Sequence, residues 1–213
     1  MKNSIYVKRP FGPSIAKVKI PIDMIKNLNE YIDKIIEDKK KLKSLDYGSK
    51  LAGNVFQEFF LENDFIMKSG WLKFLGENTK EWISKSETEK EVKSFKLIKT
   101  WVVRQFQNEY NPMHVHGGHV SGVGYLKVPD DVGKQIQESK RADDNKNGCL
   151  QLVYGTKNFL SPSIINIKPE VGDFYFFPNY LMHVVYPFSN SDQERRSISF
   201  NAEIGDAYNV FTE

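Results

Sequence analysis

Apolar residues follow a helical period in the first third of the chain and a strand period in the second half. Ile25, Leu28, Ile32, Ile35 and Ile36 recur at spacings of three and four, one stripe on one face. They predict a helix from about Asp23 to Lys41, with Asp23 as its N-cap. Short extended stretches precede it around Ile5–Val7 and Ile15–Ile20, bounded by Pro10, Pro13 and Pro21. The stretch from Leu51 to Ile83 carries Phe56, Phe59, Phe60, Phe65, Trp71, Phe74 and Trp82. It predicts two or three packed helices broken near Gly70 and Gly76.

From Phe95 onward the pattern turns β-branched and aromatic. Strands are expected at Phe95–Gln107, Val120–Val128, Leu150–Tyr154, Ile164–Ile167, Asp173–Phe177, Met182–Tyr186 and Ser197–Ala202. Short strands with turn residues between them and no intervening helix imply an antiparallel sandwich or barrel such as a jelly roll. The expectation is a single α+β domain over 1–213. Residues 1–94 would be a mainly helical support, and 95–213 the β core. Asp130–Gly148 is polar and charged, and reads either as a lid or as a disordered insertion.

Composition narrows the class. The 213 residues are 40% hydrophobic and 27% charged, as in an ordinary globular protein. Thirty basic and 27 acidic residues leave a net charge of +3, which gives no argument for nucleic acid. Lys39, Lys40, Lys41 and Lys43 cluster where a solvated face suffices. Cys149 is the one cysteine, so neither an intramolecular disulfide nor a cysteine-rich metal site can form. No apolar run approaches the roughly 20 residues of a membrane span. With no signal-peptide pattern at the N-terminus, a cytoplasmic location is the expectation.

The chemistry lies in the histidines. There are four, and His114, His116 and His119 fall within NPMHVHGGHVSG, whereas His183 stands in FFPNYLMHVVYP. Residues two apart on a strand share a face, so His114 and His116 can aim at one point. A distant third histidine would complete a three-ligand face that leaves coordination positions open for small molecules. After His183, the RRSISFN stretch puts Arg195, Ser197 and Ser199 on one face of a strand. A guanidinium beside a hydroxyl suits a carboxylate; a solvated edge strand is the alternative.

These residues resemble the 2-oxoglutarate/Fe(II)-dependent dioxygenases, above all prolyl-hydroxylase-like enzymes and the oxygenases of bacteria and phages. The resemblance covers roughly Trp101 to Asn201 and implies a double-stranded β-helix. His114 matches the family's first histidine, and His183 its distal histidine. Arg195 and Ser197 match the Arg-X-Ser pair that takes the far carboxylate of 2-oxoglutarate. Tyr125, in GVGYLKVP, matches a co-substrate-binding tyrosine. The resemblance implies Fe(II), 2-oxoglutarate and O₂ as cofactors, and a peptide, prolyl or small-molecule substrate.

One position departs from the pattern. The carboxylate expected two residues after His114 is His116, as in three-histidine thiol dioxygenases. An imidazole there makes the metal site one unit more positive and strengthens its attraction for an anionic co-substrate. His119 is the other candidate for third ligand, and a two-histidine site with His116 turned away is the remaining alternative. Two further readings stay open: a thiol-dioxygenase-like enzyme independent of 2-oxoglutarate, and a non-catalytic metal-binding jelly roll. Oligomeric state is not legible.

Overall fold

The computed structural model describes residues 5–8, 12–48, 53–86, 92–134, 146–189 and 191–205. Among them are eleven strands and four helices. The strands form two sheets. The larger has the order β1 (Tyr6–Lys8), β2 (Ile15–Lys19), β9 (Asp173–Pro178), β6 (Val120–Lys127), β11 (Arg195–Gly205), β4 (Ser94–Gln105), β3 (Gln57–Phe60). The smaller has the order β5 (Asn111–His114), β10 (Met182–Val185), β7 (Leu150–Val153), β8 (Ile164–Ile167). All pairings are antiparallel. From β4 to β11 the chain alternates between the sheets, apart from the β7–β8 hairpin within the smaller one, in the manner of a double-stranded β-helix.

Period-2 alternation divides the large sheet into two faces. Val102, Ile198, Phe200, Phe174 and Phe176 face the helices and join Leu28, Ile32, Ile35, Trp71 and Leu75 in one core. Gly122 and Gly124 make room for that packing. A Cβ at Gly122 would stand 2.6 Å from the Phe200 ring, and one at Gly124 2.3 Å from the Phe174 ring. Their neighbours Val123 and Tyr125 therefore point the other way, into a second core between the sheets with Ile15, Leu150, Leu152, Tyr175 and Phe177. The site is built on this inner face.

The helical half differs from its sequence expectation in three places. The first helix is two, α1 (Ile22–Glu37) and α2 (Lys39–Leu45). Asp38 breaks it by accepting from the backbone N–H of Lys40 and Lys41, both at 3.0 Å, as the N-cap of α2. Asp23 is not a cap; Pro21 holds that position, with no side-chain hydrogen bond. The second difference is β3, a strand inside the stretch read as helical, where Phe59 joins the helix-side core and Glu58 faces inward. Its segment 51–52 lies outside the described residues.

The third is Gly76. A break does occur at Gly70, whose φ of 79° ends the approach to α4 (Trp71–Lys85), after α3 (Asn63–Lys68). But α4 continues through Gly76, where a Cβ would lie an ordinary 3.5 Å from Phe95. The helix docks by indole contacts as well as apolar ones. Trp71 Nε1 donates to Thr100 Oγ1 at 3.2 Å, and Trp82 Nε1 donates to Ser14 Oγ at 3.0 Å. No described helix is long and apolar enough to cross a membrane.

Candidate metal and co-substrate site

His114 ends β5 and His183 sits on β10, where the two are direct cross-strand partners. His116 is not on that strand, which stops at His114. It is held in the following loop instead. Its N–H donates to Asn179 O at 3.0 Å, and Asn179 Nδ2 donates back to His116 O at 3.1 Å. Together these elements bring one ring nitrogen each of His114, His116 and His183 within 4.8 Å of one another.

The tautomers follow from the partners. His114 Nδ1 lies 2.7 Å from Pro112 O, and His183 Nδ1 lies 2.9 Å from Leu181 O. A carbonyl can only accept, so both Nδ1 atoms carry the proton and both Nε2 atoms are bare. Burial pushes His116 down to about 2 and His183 down to about 4, aided by the charge that neighbouring histidines would carry. His114 is lowered for the same reason, burial. Three neutral imidazoles thus converge, those of His114 and His183 with their Nε2 lone pairs free for a metal. His183 Nε2 and His116 Nε2 are 3.1 Å apart. Metal–imidazole bonds of about 2.1 Å meeting at a right angle would set two such nitrogens about 3.0 Å apart. The donor set fits a transition metal, and Trp101 and Phe177 wall it with ring edges on His116 and His183. His119 stands apart: its Nδ1 accepts from Ile204 N–H at 3.0 Å and pins β11.

The second part of the site lies deeper between the sheets. Arg195 and Arg196 are neighbours on β11, so the pleat sends them to opposite faces. Arg196 reaches the helices, where it meets Asp33, Asn29 and Glu194. Arg195 points inward and is 2% exposed. Its Nη1 donates to Gly148 O at 2.8 Å and its Nη2 to Gln105 Oε1, while its Nε has no partner. Both partners are neutral. No carboxylate among the described residues pairs with this guanidinium, and burial lowers it to about 10, so it remains a cation at neutral pH. Ser197 and Tyr125, paired across β11 and β6, are buried on the same face. Burial pushes the Tyr125 hydroxyl well above the ordinary phenol range, so it stays a neutral hydrogen-bonding group. A buried cation with only neutral partners is costly, and an anionic ligand would offset that cost.

Residues 99–201, from β4 to β11, match the family model described as "Putative 2OG-Fe(II) oxygenase". That stretch of β-helix, just under half of the chain, is similar to that family's oxygenase domain. This oxygenase domain is that of a 2-oxoglutarate-dependent dioxygenase, a class that works with iron and 2-oxoglutarate. Solved structures are similar over most of the chain at low identity. A prolyl-4-hydroxylase of Pseudomonas putida has a TM-score of 0.55 at 14% identity, covering 96% of this chain and 95% of that one. HygX of Streptomyces hygroscopicus, with nickel and 2-oxoglutarate bound, has a TM-score of 0.55 at 10% identity, covering 90% and 83%. A Trichoplax adhaerens prolyl hydroxylase, in complex with a hypoxia-inducible-factor peptide fragment, has a TM-score of 0.53 at 12% identity, covering 95% and 84%. At such identities the likeness concerns the fold. No protein of curated function matches by sequence.

Several supporting residues carry no sequence motif. Asn179 lies four before His183 in the FFPNYLMH stretch, but nothing in that string says its amide holds His116. Gln105 and Trp101 read only as strand residues. Of the Asp130–Gly148 segment, 135–145 lie outside the described residues. Its far end is visible, because Gly148 supplies the carbonyl that Arg195 meets.

Proposed function

We propose that the protein is a 2-oxoglutarate- and Fe(II)-dependent hydroxylase. His114, His116 and His183 hold the metal, and Arg195, Ser197 and Tyr125 take the far carboxylate of 2-oxoglutarate. The observation that carries the reading is the pairing of three converging neutral imidazoles with a buried, uncompensated guanidinium on the same inner face. Bound iron and 2-oxoglutarate supply the O₂-activating, oxygen-inserting chemistry. The chain's own residues bind, orient and keep water out. Pro112 and Leu181 fix two ring tautomers, Asn179 fixes the His116 loop, and Gln105 sets the Arg195 rotamer. A peptidyl substrate is the preferred class, a prolyl residue above all. It draws on the peptide-bound Trichoplax structure and on the likeness to prolyl hydroxylases.

The test is an anaerobic titration of metal-free protein with Fe(II) and then 2-oxoglutarate, read by the visible metal-to-ligand charge-transfer band. The band is expected in the parent and absent from His183→Ala. Arg195→Met should weaken 2-oxoglutarate binding at least about tenfold while leaving Fe(II) affinity nearly unchanged. Iron binding without a band would favour the thiol-dioxygenase reading, which the three-histidine set also suits. A closed, inert zinc site would favour a structural module.

A further inference from the structure

Inner-face residues of β4 lay out an axis. Gln105 holds Arg195, Trp101 touches His116, and Lys99 comes two residues further on. At about 3.3 Å per residue, Lys99 lies about 7 Å past Trp101, on the side away from Arg195. Its register partner on β11 is Asn201. The space between the histidines and Arg195 is assigned to 2-oxoglutarate, so a substrate has to approach from the Lys99 side.

Lys99 is half-buried there and makes no ion pair with the described residues. Its Nζ stands 5.1 Å from the Tyr47 ring centroid and 5.3 Å from that of Trp101. Tyr47 in turn leans on Phe60, 4.1 Å between centroids. The backbone donates this arrangement: Tyr47 N–H bonds to Glu58 O, which ties the segment after α2 to the edge strand β3. Ring faces attract an ammonium and hold its position without neutralising it. The charge of Lys99 is also among those that keep His116 neutral, after burial and the two other histidines.

We infer that Lys99 is a specificity residue that receives an anionic group of the substrate, with Tyr47, Phe60 and Trp101 as the apolar platform beside it. The inference rests on the site reading above and narrows its substrate class: the acceptor carries a carboxylate or a phosphate close to the carbon that reacts.

The probe is the protein loaded with Mn(II) and saturating 2-oxoglutarate, which leaves Arg195 occupied. Ligand protons near the metal are then broadened by paramagnetic relaxation. N-acetyl-L-proline is compared with N-acetyl-L-prolinamide, and N-acetyl-O-phospho-L-serine amide with N-acetyl-L-serine amide. At least one anion should be bound about five- to tenfold more tightly than its neutral counterpart, and which one responds names the group. Lys99→Met and Lys99→Gln should abolish the preference, and Lys99→Arg should keep it. A parent protein that distinguishes neither pair overturns the assignment, as does a preference that survives in Lys99→Met. The charge-transfer titration of Lys99→Met separates this result from the site reading. An intact band with lost preference supports Lys99, whereas a parent without a band counts against the metal and co-substrate assignment.

Discussion

Glu58 shows how a single side chain can carry a cost that no motif announces. It is 1% exposed on the inward face of β3, and neither carboxylate oxygen has a hydrogen-bond partner. Burial pushes it up to about 7, and the Asp46 charge adds to the shift, partly offset by the Asn111 amide nearby. The folded protein therefore holds this proton more tightly than the unfolded chain does. The stabilisation is fully present below the unfolded value of 4.5 and is lost as pH rises through about 7. A shift of that size corresponds to about 3 kcal/mol at pH 8. Glu58→Gln should be more stable than the parent at pH 8 by up to that amount and near parity at pH 4.5. Urea midpoints at the two pH values check this, and parallel profiles for the two proteins would refute it.

At the scale of elements, the turn between β9 and β10 matters more than its length suggests. Asn179 in that turn makes two hydrogen bonds to the His116 backbone and a third, through its own N–H, to His119 O at 3.1 Å. Asn179→Ala removes the side-chain bond and loosens the loop that aims His116. Support of this indirect kind is typically worth 10- to 100-fold in metal affinity, and a backbone anchor should fall at about tenfold. Competition with a chelator measures it; unchanged affinity would mean that His116 is not a ligand or is held by its ring alone. The sequence spoke clearly where one period ran long. The Ile25–Ile36 stripe, the strands from Val120 onward and the histidine spacing were all legible. It was silent where tertiary contacts overrule local pattern. The four residues of β3 look like their helical surroundings, and they are a strand because β4 offers them an edge. His116 lies past the end of its strand, so the loop and not a shared strand face sets it beside His114 and His183. Asp38 breaks a helix within a run of charged residues because its carboxylate captures two N–H groups, a local competition that periodicity cannot see.

At the scale of the whole molecule, β11 joins the layers through two adjacent arginines of opposite duty. Arg196 fastens the helical layer to the barrel, with Asp33 at 2.7 Å and Glu194 at 2.8 Å, while Arg104 shares Glu194 at 2.9 Å. Arg196→Met should cost roughly 2 kcal/mol. That is below the usual cost of breaking a buried pair, because Glu194 keeps Arg104 and Asp33 is 47% exposed. Arg195 has the opposite balance. In the ligand-free protein its charge is buried against a carbonyl and an amide, so Arg195→Met exchanges a desolvated cation for an uncharged chain. The stability of the metal-free, 2-oxoglutarate-free protein should then be unchanged or slightly higher. The stabilisation gained on adding Co(II) and 2-oxoglutarate follows mass action and should shrink with the affinity. Thermal melts of both variants, with and without the two ligands, separate the roles. Arg196→Met should melt lower in both states with its ligand-induced shift intact. Arg195→Met should melt at or above the parent without ligands and lose most of the shift. If Arg195→Met instead destabilised the ligand-free protein as much as Arg196→Met does, the inward guanidinium would be a structural strut between the sheets, and the carboxylate receptor would have to be sought elsewhere on the inner face.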